Sequence, residues 1–375
     1  MTRRTLLTVL FGVLAVAGVG ALCPPLATRP APSATRPELD LASLSAQLSE
    51  PPGYFDTDNL ISNESSYLQV ADRLADEVPQ DGVYIGVGPE QNFSYIARVR
   101  PRYAFILDIR RQNLLQHLLF AALFARADDA RAYLCLLFSR PCAGPGPPQA
   151  WGGADAAFDA LPPPSEAAYA ANLRSVYGHV ERWLRFALTA EDRAHIQKVY
   201  RAFFDDQDEI RFRSFGRRGW HHPSYRTLLR AKSPSGRFGS FLDAPDDYRR
   251  VRDLSRAGRI VPVTGGFAGP HALRAIGAWT RARGLAVSTF YASNVEFYLA
   301  RDQAFERFAA NLRELPLRPD SVLVRACFEY GRVHPAALPG SRSVTLLQRL
   351  PRFLELHRAG AYGSEWDVCT VDYLR

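Results

Sequence analysis

Tyr84-Ile85-Gly86-Val87-Gly88-Pro89-Glu90-Gln91-Asn92 joins a short apolar run, residues 83–87, to a helical pattern over residues 93–99. Two glycines at such a junction let the backbone turn tightly and approach a ligand. The first amides of the helix beyond attract polar or negative groups. A second apolar run, residues 103–107, ends in Asp108, 20 residues after Gly88. A carboxylate in that place can accept both hydroxyls of an adenosine-type ribose. Strand, glycine turn, helix, strand and terminal acid predict a nucleoside site built from Gly86, Gly88, Glu90, Asn92 and Asp108. The same residues also suit an ordinary tight turn with Asp108 capping the next helix, and both readings stay open.

Outward from this stretch, strands and helices alternate. Residues 62–65, Ser-Asn-Glu-Ser, can cap a helix through residues 67–74. Helical patterns follow at 114–125 and 133–138, then a Pro- and Gly-rich loop at 141–164, then helices at 166–188 and 191–204. Beyond an irregular stretch the order is helix 246–257, strand 260–263, helix 270–283, strand 287–291, helices from 295 and at 305–312, and strands 322–328 and 343–347. The pattern predicts an α/β fold with a doubly wound, mostly parallel sheet. An antiparallel hairpin is expected at its edge, and a mainly helical insertion at about 141–243.

The chain has 375 residues, 47% of them hydrophobic and 22% charged, so it can bury a large core and is not globally disordered. Its net charge of +8 is almost wholly arginine, with Lys198 and Lys232 the two lysines. Cys23, Cys135, Cys142, Cys327 and Cys369 contain no C-x-x-C and read as neither a metal site nor a disulfide framework. Residues 2–22 place two arginines before an uncharged run, the pattern of a signal peptide or membrane anchor. The paired arginines also suit a twin-arginine signal, and Cys23 allows a lipoprotein. Residues 23–52 read as a Pro/Ala-rich tether with at most a short helix at 41–48, so order is expected from near Tyr54 and one domain over 53–375.

Three other clusters carry chemistry. Ser293-Asn294-Val295-Glu296 follows a predicted strand at its carboxyl end, where open α/β sheets bind ligands. Asn294 offers donor and acceptor and Glu296 a base; capping of the next helix is the competing account. Residues 211–237 hold eight basic residues and no acid, interleaved with aromatics. An exported protein meets anionic lipid or glycan there rather than nucleic acid, and a solvated loop packed by its aromatics is the competing account. His221-His222 near an acidic run is a poor metal motif, since neighbouring residues point apart on a strand, and no metal is expected. His117 lies in an apolar helix and reads as a packed core histidine.

The strand, glycine turn, helix, strand and terminal acid, with the later edge hairpin, resemble the class I S-adenosylmethionine-dependent methyltransferase fold. The segments YIGVGPEQNFSYI, AFILDIRRQN, IVPVTGGFAGP and FYASNVEFYL resemble more closely a family of uncharacterised bacterial proteins with a methyltransferase-like (Rossmann) fold. The resemblance implies that fold, and S-adenosylmethionine or another nucleoside-type molecule as ligand of a transferase. The chain departs from the methyltransferase pattern in several places. Tyr84 stands where an acid is usual and Glu90 where a third glycine is usual, no N-P-P-Y or D-P-P-Y occurs, and Thr264-Gly265-Gly266 lacks an acid. Because adenosylmethionine is made in the cytoplasm, an exported chain also admits the alternative of a non-catalytic cell-envelope protein that keeps the fold without the cofactor.

Overall fold

Six strands organise the chain. In the computed structural model, which describes residues 39–142, 153–213, 222–328 and 332–374, they are β1 (Val83–Gly86), β2 (Tyr103–Asp108), β3 (Ile260–Thr264), β4 (Val287–Ser293), β5 (Leu317–Phe328) and β6 (Ser343–Arg349). They lie in the order β3-β2-β1-β4-β5-β6. β1 is parallel to both β2 and β4, β2 to β3, and β4 to β5, whereas β6 runs antiparallel on β5. The expected mixed sheet with an antiparallel edge pair is therefore present. Every residue of β1, β2 and β3 is buried, so these runs are continuously apolar rather than alternating. The chain lays β2 and β3 on one side of β1 and returns to the other side with β4. Such a reversal opens a crevice above the carboxyl ends of the central strands.

The crossover from β2 to β3 carries the helical insertion, with its two longest helices at Glu166–Arg182 and Ala190–Asp206. Ser165 caps the first through the Ala168 amide, and Thr189 with Asp192 forms a reciprocal capping box on the second. After β6 come the helices Leu350–Arg358 and Glu365–Thr370, for which the sequence reading had no counterpart. Among the described residues no helix is long and apolar enough to cross a membrane. Residues 1–22, where the sequence predicts a signal peptide or anchor, lie outside the described residues.

Two expectations need correction. Order begins well before Tyr54. The helix Leu41–Leu48 buries Leu41, Leu44 and Leu48, and Ser45 Oγ donates to the Pro262 carbonyl of β3 at 2.6 Å. β3 is an edge strand, which is why it tolerates Pro262, and this helix covers it. A Pro-rich stretch masked three well-spaced leucines, so residues 41–52 belong to the fold and not to a tether. The cysteines are also not idle: Cys135 pairs with Cys142, and Cys327 with Cys369. The second pair joins the end of β5 to the last helix, a proximity that arises in the folded sheet and leaves no mark in the spacing.

Candidate functional site

A cavity of about 630 Å³ opens over the carboxyl ends of β1, β2 and β4, within the usual range for small-molecule sites. Gly88, Asp108, Tyr291 and Ser293 line its floor, and parts of residues 50–64 form its roof. The roof is anchored by Glu50. Its Oε1 accepts the Gly266 amide at 2.8 Å, and its Oε2 the His271 and Ala272 amides at 2.9 and 3.1 Å. The start of helix Ala272–Arg281, an anion-binding feature, is thus already filled by the chain's own carboxylate.

The glycine turn is tied from within. Asn92 Nδ2 donates to the Val87 and Pro89 carbonyls at 2.9 and 2.7 Å, and its Oδ1 accepts the Tyr84 hydroxyl at 2.8 Å. Gly86 is required by this knot, since a Cβ there would sit 2.0 Å from Asn92 Oδ1. Gly88 has φ +82°, in the left-handed region that favours glycine, and it faces the cavity. His117 donates Nε2–H to the Gly88 carbonyl at 2.9 Å. Burial lowers its pKa to about 4, so it stays neutral, as a packed histidine should. Gly86 and Asn92 therefore shape the turn, and of the residues expected there Gly88 reaches the cavity.

Glu90 does not line the cavity either. It is buried on the far side of the turn, Oε2 has no hydrogen-bond partner, and burial pushes its pKa up to about 8. The folded chain thus holds this proton more tightly than the unfolded chain. The associated stability is full below the ordinary carboxyl value and is lost as pH rises through about 8. Glu90→Gln should match the parent near pH 4.5 and exceed it by about 1–3 kcal/mol at pH 8.5. Urea titrations at the two values test this, and equal pH slopes would refute it.

Asp108 does line the cavity, beside Gly88, because β1 and β2 run in register with Gly86 opposite Ile106. Arg110 holds it: the backbone amide and Nε reach Oδ1 at 2.9 and 3.1 Å, and Nη2 reaches Oδ2 at 3.0 Å. A carboxylate has about four acceptor positions, so Asp108 retains one and not the two that a ribose diol was expected to use. Ile109, the next residue, is 40% exposed and gives the wall an apolar face.

Asn294 lines the cavity, and its side chain does not cap the helix Val295–Arg301. Glu296, expected as a base, points away from the cavity. It is buried against Arg325, whose Nε lies 2.7 Å from its Oε2. On this side of the cavity the carboxylate is instead that of Glu64. It is 1% exposed, with Oε1 accepting the hydroxyls of Tyr291 and Ser293 at 2.8 and 2.5 Å and Oε2 accepting Gln91 Nε2 at 3.1 Å. Residues 62–65 do not cap a helix as their sequence predicts, for the helix begins at Ala71. Burial raises the Glu64 pKa, partly offset by these three donors.

The basic stretch at 211–237 lies partly outside the described residues, His221 included. Its described cations are matched in place: Arg211 with Glu209, Arg213 with Asp206, Arg226 with Asp155 and Asp208, Lys232 with Asp243, and Arg237 with Asp76. Arg230 also meets Asp155.

A family model described as a domain of unknown function (DUF7790) matches residues 59–140 and 168–356. No curated protein matches the chain.

Proposed function

The chain belongs to the DUF7790 family, and we propose that its cavity binds a nucleoside-type small molecule, with S-adenosylmethionine the first candidate and group transfer the reaction class. The observation that carries this reading is the placement of Gly88, Asp108 and exposed Ile109 on neighbouring strand ends at the point where the strand order reverses. Doubly wound sheets bind nucleotides at such a point, and the order β3-β2-β1-β4-β5 with an antiparallel neighbour supports a methyltransferase-like, Rossmann architecture. In this reading Ile109 backs a flat ring, the free acceptor position of Asp108 takes one ribose hydroxyl, and Asn294 meets the acceptor substrate. The sulfonium of the candidate cofactor is already activated, so transfer requires positioning more than acid–base help. Export belongs to the same proposal, and the two disulfides support it, because such bonds persist in oxidising compartments.

Titration calorimetry of the purified chain with adenosylmethionine and adenosylhomocysteine tests the reading. Saturable heat is expected with both. Asp108→Ala should weaken binding about tenfold to a hundredfold, the loss of one charge-assisted hydrogen bond of roughly 1.5–3 kcal/mol. It should also lower the melting temperature, since Arg110 is left buried without its carboxylate. A second reading, a non-catalytic envelope protein, is favoured by one observation: Arg110 already takes three of the acceptor positions on Asp108. Absence of heat with either ligand at millimolar concentration would decide for it.

A further inference from the structure

Ser293 ends β4 with φ +53°, a left-handed conformation that a non-glycine residue adopts at a steric cost. The helix Val295–Arg301 follows two residues later, so the serine sits on a sharp strand-to-helix turn at the top of a central strand. That geometry lifts a hydroxyl clear of the sheet and presents it to a ligand, as a nucleophile elbow does. Here the hydroxyl faces the cavity and donates to Glu64 Oε1 at 2.5 Å. Glu64 in turn is oriented by the Tyr291 hydroxyl and Gln91 amide, and the interactions that set its protonation are all with neutral groups. Asn294 completes the set. Its Oδ1 is 3.4 Å from Ser293 Oγ, so its side-chain amide stands next to the nucleophile and brings N–H donors that an oxyanion can use.

We propose that Ser293 and Glu64 are a nucleophile–base pair for acyl transfer, and that the cavity hydrolyses a small carboxylic ester. Nucleophile, base, an orienting group for the base and an oxyanion donor are the parts such a reaction needs within hydrogen-bond reach. Ser293 Oγ attacks the ester carbonyl carbon while its proton passes to Glu64 Oε1, and the amide of Asn294 holds the resulting oxyanion. The intermediate collapses by breaking the bond to the alkoxide, which leaves as the alcohol with the proton from Glu64. Water then attacks the acyl-serine, Glu64 takes its proton, and Ser293 departs with that proton as the carboxylic acid is released. Val295, Leu299 and Phe328 supply apolar wall for the acyl group. Burial raises the basicity of Glu64, which suits it to the proton transfer. The pair belongs to the β4 side of the cavity and stands apart from the Asp108 side.

The test treats the full chain with a fluorophosphonate, which phosphonylates activated serines, and maps the product by peptide mass; turnover of p-nitrophenyl butyrate is followed in parallel. One phosphonyl group per chain on Ser293 is expected, with an acyl burst preceding steady turnover. Ser293→Ala should take no label. Glu64→Gln should label about a hundredfold more slowly or worse, with its circular dichroism spectrum compared to the parent. The wild-type mapping needs no variant: a chain that takes no label, or takes it on another residue, overturns the proposal. So does a folded Glu64→Gln chain that labels at the parent rate.

Discussion

Arg325→Met should cost the fold about 3–5 kcal/mol, the usual result of removing one partner of a buried ion pair. Arg325 is 1% exposed and is among the largest fully buried side chains. Its Nε and Nη2 reach the two oxygens of Glu296 at 2.7 and 3.3 Å, while Nη1 donates to Gln348 Oε1 at 2.8 Å and to the Val368 carbonyl at 2.6 Å. The guanidinium also lies 5.2 Å from the centre of the Phe353 ring. One cation therefore joins β5, β6, the helix after β4 and the last helix. Methionine fills much of the space but leaves Glu296 charged and unpaired, or neutral with an unmet donor. Chemical denaturation measures the loss. The double variant Arg325→Met with Glu296→Leu should regain most of it, because a packed apolar pair avoids desolvating two charges. A single variant that loses under 1 kcal/mol would show that the pair does not hold these elements together.

This pair also shows where sequence reasoning stops. Glu296 follows a strand at its carboxyl end, so position along the chain marks it as a ligand-side acid. What takes it out of the cavity is Arg325, 29 residues on, and a pairing between a helix and a distant strand has no local signature. Asp108 was legible for the opposite reason. Strand, turn and helix lengths determine where the residue ends up, and parallel register with β1 then brings it beside Gly88. How many of its acceptor positions Arg110, two residues on, occupies depends on a side-chain conformation that only the fold selects. Glu64 was hidden more completely. A Ser-Asn-Glu-Ser run is an ordinary helix-start signal, and its acid becomes a cavity group because residues 62–65 are drawn across the ends of β1 and β4. The buried strands were readable throughout, since continuous apolar runs bounded by glycine and proline leave few alternatives.

Loss of the Cys327–Cys369 bond should cost about 4 kcal/mol. In the chain-entropy account, a link across a separation of 42 residues removes that much freedom from the unfolded chain at room temperature. The shorter Cys135–Cys142 link, with a separation of 7, should contribute about 2.4 kcal/mol on the same account. Local packing makes the longer bond matter more. Its sulfurs sit in a small apolar cluster with Val344 and Leu346, separate from the main core, so the last helix has little other apolar anchorage there. The same helix supplies the Val368 carbonyl to Arg325, which ties the disulfide to the buried ion pair across the β5–β6 edge. A Cys327→Ala, Cys369→Ala chain should therefore unfold at lower denaturant and should exchange amides fastest in residues 365–370. Added reductant should lower the parent's stability by more than it lowers that of the double variant, which keeps the shorter link alone. Thiol titration of the unreduced, unfolded parent offers the independent check, with Cys23 as the one free cysteine expected. Five free thiols in protein prepared under oxidising conditions would remove both links from the account.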